Sequence, residues 1–186
     1  MDNNYVFQYW EAIENGAVTV GKWIRTIYKI LVDGLKSGKW DFDGDKANKA
    51  INFIENFCHH SEGRNDLLKL ELWQKAIVSA IFGIMDKKTG YRQFREVFIV
   101  VARKNGKTLF AAAIAAYMTY IDGEYGAKVY FLAPKLDQAD LVYDAFYQIV
   151  QADDELESIT KKRRSDIYIK EFNTSVKKIA FNSNVT

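Results

Sequence analysis

The sequence predicts an α/β fold in which a largely parallel sheet is flanked by helices and preceded by a helical N-terminal region. Three observations lead to this prediction. Before residue 90, apolar residues recur at spacings of three and four, the period of an amphipathic helix. After it, short apolar runs alternate with longer helical patterns, an order that favours parallel strands with right-handed crossovers. A Gly-Lys-Thr tripeptide follows the first of these runs and begins a helix.

Three helices are predicted in the N-terminal region. The first covers residues 20–35, the second begins after Asp45 as a possible N-cap, and the third covers about residues 70–84. The expected inner face of the first helix consists of Val20, Trp23, Ile24, Ile27, Leu31 and Leu35. That of the second consists of Ala47, Ala50, Ile51, Ile54 and Phe57, and that of the third of Trp73, Ile77, Ala80, Ile81 and Ile84.

After Gly90, which suits a turn, the pattern changes. Pro134, the only proline, follows the second strand and should end it. The order is a strand at residues 97–101, a helix at 107–120, a strand at 128–133, a helix at 137–151, and a hairpin of strands at 167–172 and 176–181. We therefore expect a helical region over residues 1–90 and an α/β core over residues 91–186.

Composition excludes several classes of protein. With 48% hydrophobic residues among 186, the chain can bury a substantial core. Its 26 basic and 24 acidic side chains are too balanced to indicate a nucleic-acid binder through overall charge. A single cysteine, Cys58, excludes an internal disulfide and fits a reducing compartment. No apolar run has the length of a secretory core or a membrane span, so we expect a soluble, intracellular protein without a membrane partner.

The segment R-K-N-G-K-T, residues 103–108, has the chemistry of a phosphate-binding loop. It lies between an uncharged predicted strand and a helix with almost no charge, the context that such a loop requires. Gly106 lets the backbone approach an anion, and the first N–H groups of the helix point at it. Lys107 adds a positive charge, and Thr108 supplies a hydroxyl suited to Mg²⁺. Val101 stands where the full pattern has its first glycine, so the predicted P-loop is degenerate.

Other residues are candidates for the same site. Arg103 could stabilise charge that develops during phosphoryl transfer, or it could be a solvated loop arginine. Lys104 and Asn105 complete the predicted nucleotide-binding segment. The amide of Gln74 matches the N6 and N7 edge of adenine, although a glutamine on an amphipathic helix is usually a surface residue.

The acidic residues that an ATPase needs for its Mg²⁺ shell and its attacking water are not evident. The strand at residues 128–133 runs into Pro-Lys, and the one at 167–169 runs into Lys-Glu. The acidic turn at residues 41–45 lacks the spacing of a calcium loop, and Cys58-His59-His60 offers too few ligands for zinc. The basic run at residues 161–164 is more typical of a solvated turn than of a DNA contact.

The chain resembles the large terminase subunit of tailed bacteriophages, in its N-terminal ATPase half. The resemblance rests on L-W-Q at residues 72–74, V-A-R-K-N-G-K-T at residues 101–108 and Y-F-L-A-P at residues 130–134. It is densest over about residues 67–150. It implies a P-loop NTPase-like fold that uses ATP and Mg²⁺.

Carried over by residue, the resemblance makes Gln74 the adenine contact, Arg103 the arginine of a deviant P-loop, Lys107 the phosphate-binding lysine and Thr108 the Mg²⁺ ligand. It implies a motor that acts in the cytoplasm of an infected bacterium. The motor would assemble as a homo-oligomeric ring on the portal of a procapsid. With a small terminase subunit as partner, it would couple ATP hydrolysis to translocation of double-stranded viral DNA.

Compared with the family pattern, the chain stops before the Walker B strand, so we expect the acidic metal residue, the catalytic glutamate and the nuclease domain to be absent. Weak nucleotide binding and poor ATP hydrolysis are therefore expected of these 186 residues. Two other functions stay open at this point. One is a helicase-like ATPase of related architecture, and the other is a non-catalytic nucleotide-binding module used for assembly.

Overall fold

The computed structural model describes residues 4–60, 63–64 and 66–181. Its contacts divide the chain into two compact units. The first unit consists of Met1–Asn52 and Lys69–Ile99, and the second of Phe53–Leu68 and Val100–Thr186. The domain boundary expected at residue 90 stays a prediction.

The first unit is mainly helical, in agreement with the prediction for the N-terminal region. Its elements are α1 Tyr5–Glu14, α2 Lys22–Lys36, β1 Asp41–Phe42, α3 Gly44–Phe57, α4 Leu72–Gly83 and β2 Ile84–Met85. The last residues of α3 belong to the second unit. β1 and β2 pair antiparallel, with Asp41 opposite Met85. Among the described residues, no helix combines the length and the apolar character needed to cross a bilayer.

Helix α1 was not predicted, although Val6, Tyr9 and Ile13 have helical spacing and are buried. The helix starts at Tyr5 because the side-chain oxygen of Asn4 accepts a hydrogen bond from the backbone N–H of Val6 at 3.1 Å. The ring of Tyr9 meets that of Tyr28 from α2 edge to face, with centroids 4.7 Å apart. This contact joins the first two helices in one apolar core.

The buried face of α2 differs from the predicted stripe. Leu31 is buried as predicted, but Trp23 and Ile27 are 78% and 46% exposed. Tyr28 and Val32 are buried in their place. The spacing of apolar residues fits both faces of this helix, and Tyr28 decides between them because its large ring packs on Tyr9.

The predicted N-cap of α3 is also wrong by two residues. Asp43 caps this helix, since its carboxylate accepts a hydrogen bond from the backbone N–H of Lys46 at 2.9 Å. Asp45 lies within the first turn, where a negative charge is favourable near the positive end of the helix dipole. Helix α4 begins and ends within two residues of its prediction.

Ser79 of α4 is expected to lower the stability of the first unit. Its side chain is fully buried, and among the described residues its hydroxyl has no hydrogen-bond partner. We predict that Ser79→Ala raises the free energy of unfolding by about 1 kcal/mol, because alanine removes a desolvated polar group without adding volume. Urea unfolding monitored by circular dichroism measures this change. A Ser79→Ala variant less stable than the wild type would show that the hydroxyl has a partner.

The second unit contains a four-stranded sheet and the helices packed on it. Its elements are α5 Lys107–Tyr120, β3 Lys128–Ala133, α6 Leu136–Gln151, α7 Asp154–Ser158, β4 Thr160–Lys162, β5 Ile167–Ile169 and β6 Thr174–Ala180. The strand order is β3-β6-β5-β4. β3 and β6 are parallel, with Val129 opposite Val176, whereas the β6–β5 and β5–β4 pairs are antiparallel. The α/β class is confirmed, but the sheet is not largely parallel as predicted, because only one of the three described strand pairs is parallel.

One face of this sheet packs against α6. Phe131 of β3 contacts the rings of Tyr143 and Phe146, with centroids 6.4 Å and 6.1 Å away. Phe146 is fully buried and also stacks on Tyr120 of α5. This aromatic cluster therefore joins both helices to the sheet. Leu132, on the opposite face, is 63% exposed.

The strand predicted at residues 97–101 is wrong. The chain there is irregular and pairs with no strand in the described structure. Phe98 and Val100 are 93% and 79% exposed. An apolar run becomes a strand only where a neighbouring strand satisfies its backbone groups. The parallel partner of β3 is instead β6, the second strand of the predicted hairpin.

A bidentate ion pair holds the turn between β4 and β5. Asp166 is almost fully buried, and both of its oxygens accept hydrogen bonds of 2.6 Å from the guanidinium of Arg163. These hydrogen bonds hold the pKa of Asp166 below its ordinary value, although burial opposes the shift. Arg163 also lies over the ring of Tyr168, 4.1 Å from its centroid. The positive charge of Arg163 is therefore paired within the hairpin of β4 and β5.

We expect the ion pair of Arg163 and Asp166 to make the free energy of unfolding decrease at acid pH. Because the pKa of Asp166 is lower in the folded state, its stabilisation is complete above the unfolded value of about 4. It disappears as pH falls through the lower, folded value. Asp166→Asn should therefore lower stability at pH 7 and flatten its decline below about pH 5. Urea unfolding from pH 3 to 8 measures both effects, with Asp144→Asn on the exposed side of α6 as the control.

Candidate functional site

The predicted P-loop leads into α5 through two left-handed residues. Gly106 is the N-cap of α5 with φ +65°, and Lys104 has φ +66°. A side chain on Gly106 would meet no atom within 4 Å, so the backbone angle and not the available space favours glycine there. Lys104 adopts the same conformation at a steric cost. Alternation of left- and right-handed residues turns successive N–H groups toward one side, as in anion-binding concavities.

The loop presents a run of unused backbone donors. In the described structure, the backbone N–H groups of residues 103–109 donate to no protein group. The first bond of the helix is from the N–H of Phe110 to the carbonyl of Gly106, at 2.9 Å. Seven consecutive donors at the positive end of a helix dipole favour an anionic ligand.

The side chains of the loop add positive charge. Arg103, Lys104 and Lys107 are exposed, and none of them forms an ion pair with another described residue. A lysine in the first turn of a helix is unfavourable for the helix itself, because it lies near the positive end of the dipole. An anion bound at the loop would reverse this effect. The hydroxyl of Thr108, which is half-buried, has no hydrogen bond in the described structure and could therefore contact a hydrated metal ion.

Asn105 connects two carbonyl groups of the same loop. Its Nδ2 donates to the carbonyl oxygen of Ala102 at 3.3 Å and to that of Arg103 at 3.2 Å. Its exposed side chain therefore braces the turn between the two left-handed residues. The sequence motif predicts that Asn105 belongs to the loop, but it does not predict these bonds.

Helix α5 holds the loop on the core of the second unit. Ala112, Ala113 and Ala116 are fully buried, and such small side chains allow α5 to approach α6 closely. At the other end of α5, the hydroxyl of Tyr120 lies 2.7 Å from that of Thr160. Burial raises the pKa of Tyr120 to about 12, so this phenol stays protonated at neutral pH. Contacts along the length of α5 therefore hold its N-terminus, and the loop that precedes it, in place within the second unit.

Gln74 is held in place by the start of α4. It is only 8% exposed, so it is not the surface glutamine that is usual on an amphipathic helix. Its Oε1 accepts a hydrogen bond from the backbone N–H of Glu71 at 2.9 Å, which is half of a capping box. The spacing Glu71 to Gln74 could have indicated this role. Gln74 belongs to the first unit, whereas the loop belongs to the second.

The acidic residues that could complete a metal site are not evident in the described sheet of the second unit. No strand of the four-stranded sheet is followed directly by Asp or Glu. Among the described residues, no three His, Cys, Asp or Glu side chains come close enough to hold a metal ion. Thr108 is therefore the metal candidate that the loop itself provides.

A separate cavity of about 450 Å³ lies in the first unit. Its lining includes Asp41, Asp43, Asp45 and Asp86 together with Lys46 and Lys87. Hydrogen bonds from the backbone and side chain of Thr89 lower the pKa of Asp86. The carboxylates give this cavity the wrong charge for a phosphate group, which separates it from the chemistry of the loop.

Comparison with known proteins identifies the family and the fold of this domain. The family model described as "Terminase large subunit, ATPase domain" matches residues 72–185, more than half of the chain. The crystal structure of the HK97 bacteriophage large terminase is similar, with 24% sequence identity and a TM-score of 0.64. That match covers 76% of this chain but only 28% of the HK97 chain, and at this identity it shows the fold alone. No curated protein matches.

Proposed function

Because the chain belongs to the family of terminase large subunit ATPase domains, we propose that residues 103–108 bind the triphosphate of Mg²⁺-ATP. The observation that carries this proposal is the run of seven unused N–H groups, residues 103–109, at the start of α5. Arg103, Lys104 and Lys107 lie within this run, and none of them forms an ion pair with another described residue. Donors and charge of this kind suit a polyanion that carries its own metal ion.

We assign a role to each candidate side chain. Lys107 contacts the terminal phosphates, since it is the cation closest in sequence to the helix N-terminus. Arg103 stabilises the charge that develops on the phosphoryl group during transfer. Thr108 contributes its hydroxyl to the Mg²⁺ shell, and the remaining ligands come from phosphate oxygens and water. Gln74 recognises adenine through hydrogen bonds of its side-chain amide.

We further propose that the domain drives double-stranded DNA into a procapsid as part of a longer terminase subunit. The chain spans 28% of the HK97 large terminase, so ring assembly on a portal and delivery of DNA by a small subunit are proposals about the whole protein. The family membership favours this role over a helicase-like ATPase or a non-catalytic module. Packaging of DNA into empty procapsids by a longer protein, without strand separation, would distinguish them.

Calorimetric titration of the chain with a non-hydrolysable ATP analogue and Mg²⁺ tests the binding proposal. We expect saturable binding that tripolyphosphate displaces and that adenosine displaces poorly, because the loop recognises phosphate. Absence of binding at millimolar analogue would overturn the proposal. Weak hydrolysis by this chain stays a prediction, and steady phosphate release at rates of about 1 s⁻¹ or more, in the usual range for enzymes, would contradict it.

Replacing Gln74 tests its role in adenine recognition separately from its role in the helix cap. Gln74→Glu keeps the oxygen that accepts from Glu71, but it removes the N–H₂ that adenine N7 requires. We predict about tenfold weaker binding of ATP, unchanged binding of GTP and an unchanged unfolding temperature. Gln74→Ala is the matched control, since it also removes the cap and should destabilise α4 by about 1 kcal/mol. Equal losses for ATP and GTP would remove Gln74 from the adenine site.

A further inference from the structure

We propose that Asn105 is a positioning residue that turns the N–H groups of the loop toward the bound phosphate. The inference rests on the proposed function of the loop. Its starting point is the pair of bonds from Asn105 Nδ2 to the carbonyl oxygens of Ala102 and Arg103. Both partners are acceptors, so the side chain must present its N–H₂ group to them.

These two bonds determine the direction of two peptide groups. In a trans peptide the C=O and the following N–H point in opposite directions, and the described chain contains no cis peptide. When Asn105 draws the carbonyl oxygens of Ala102 and Arg103 to itself, the N–H groups of Arg103 and Lys104 point away from it. These are the first two donors of the unused run. Asn105 therefore acts through the backbone.

The bonds also remove a repulsive group from the site. A carbonyl oxygen that faced the phosphate would repel it, and a free peptide unit in an exposed loop can rotate between both orientations. Lys104 makes such rotation easy, because its left-handed conformation is costly for a residue with a side chain. Asn105 holds both peptide groups in one orientation. Their carbonyl oxygens point to the side-chain amide of Asn105, and their N–H groups point away from it, toward the ligand.

Binding of tripolyphosphate and Mg²⁺-ATP analogue by the 186-residue chain tests this role. For Asn105→Ala we expect about tenfold weaker binding of both, since two hydrogen bonds that order the loop are lost. Asn105→Ser keeps one donor and should recover part of the affinity. Asn105→Asp carries only acceptors, so it should bind more weakly than the alanine variant. Because the side chain is exposed, the unfolding temperature should not change.

Amide chemical shifts supply a readout that a purely structural role would leave unchanged. In ¹⁵N-labelled wild type, tripolyphosphate should shift the N–H signals of Arg103 and Lys104, and in Asn105→Ala these two shifts should be lost. Unchanged affinity in Asn105→Ala, or a lower unfolding temperature that accounts for the loss, would overturn the inference. If wild type binds neither ligand, the proposed function fails as well, whereas normal binding by both wild type and Asn105→Ala refutes only the role of Asn105.

Discussion

Replacing Lys107 with alanine is expected to weaken binding of the Mg²⁺-ATP analogue roughly 10- to 100-fold, the usual cost of losing a charge-assisted contact. The unfolding temperature should stay the same or rise slightly, because Lys107 has no described partner and its charge opposes the dipole of α5. Titration calorimetry and thermal unfolding of the same samples measure the two quantities.

Two variants control for nonspecific effects of charge. Lys107→Arg keeps the positive charge and should retain part of the affinity, although its planar head cannot reproduce the geometry of an ammonium group. Lys170→Ala removes an exposed lysine from the turn after β5 and should leave binding unchanged. If Lys107→Ala binds the analogue as tightly as the wild type, a non-catalytic module becomes the better description of this chain.

Replacing Phe146 with alanine is expected to lower the free energy of unfolding by about 3–5 kcal/mol. The ring is fully buried and lies between Tyr120 of α5 and Phe131 of β3. Its removal leaves a cavity where both helices meet the sheet. Urea unfolding monitored by far-UV circular dichroism measures the change, and nucleotide binding should weaken only under conditions in which part of the protein is unfolded.

Leu141→Ala is the matched control for this prediction. Leu141 lies on the same helix but is 63% exposed, so its replacement should change the free energy of unfolding by less than about 0.5 kcal/mol. Similar losses for both variants would show that α6 buries a different face from the one described.

The loop that we propose as the phosphate site could be located from sequence because its residues are consecutive. Gly106, Lys107 and Thr108 follow one another at the start of a helix, and the donors of that helix end are present in any environment. The boundaries of α5 and β3 also agree with prediction within one residue. The hydrogen bonds of the Asn105 side chain could not be predicted. They form in a turn where Lys104 has a positive φ angle, which is unfavourable for a residue with a side chain.

Burial was harder to predict than periodicity. The apolar residues of α2 fit two adjacent faces, and the ring of Tyr9 selects the one that contains Tyr28. The apolar run at residues 97–101 has the composition of a strand, yet Phe98 is 93% exposed because no neighbouring strand pairs with it in the described structure. In both cases the outcome depends on residues that are distant in sequence.

From sequence alone the α/β class, the elements α5, β3, α6, β5 and β6 in their order, and the loop that we propose as the phosphate site could be predicted, whereas α7 and β4 were not. The pairing of β3 with β6, the buried side of α2 and the burial of Gln74 became evident only in the folded structure. The physical reason is the range of the interactions. Backbone conformation and helix-end donors follow from neighbouring residues, whereas strand pairing and burial require surfaces that only the folded chain brings together.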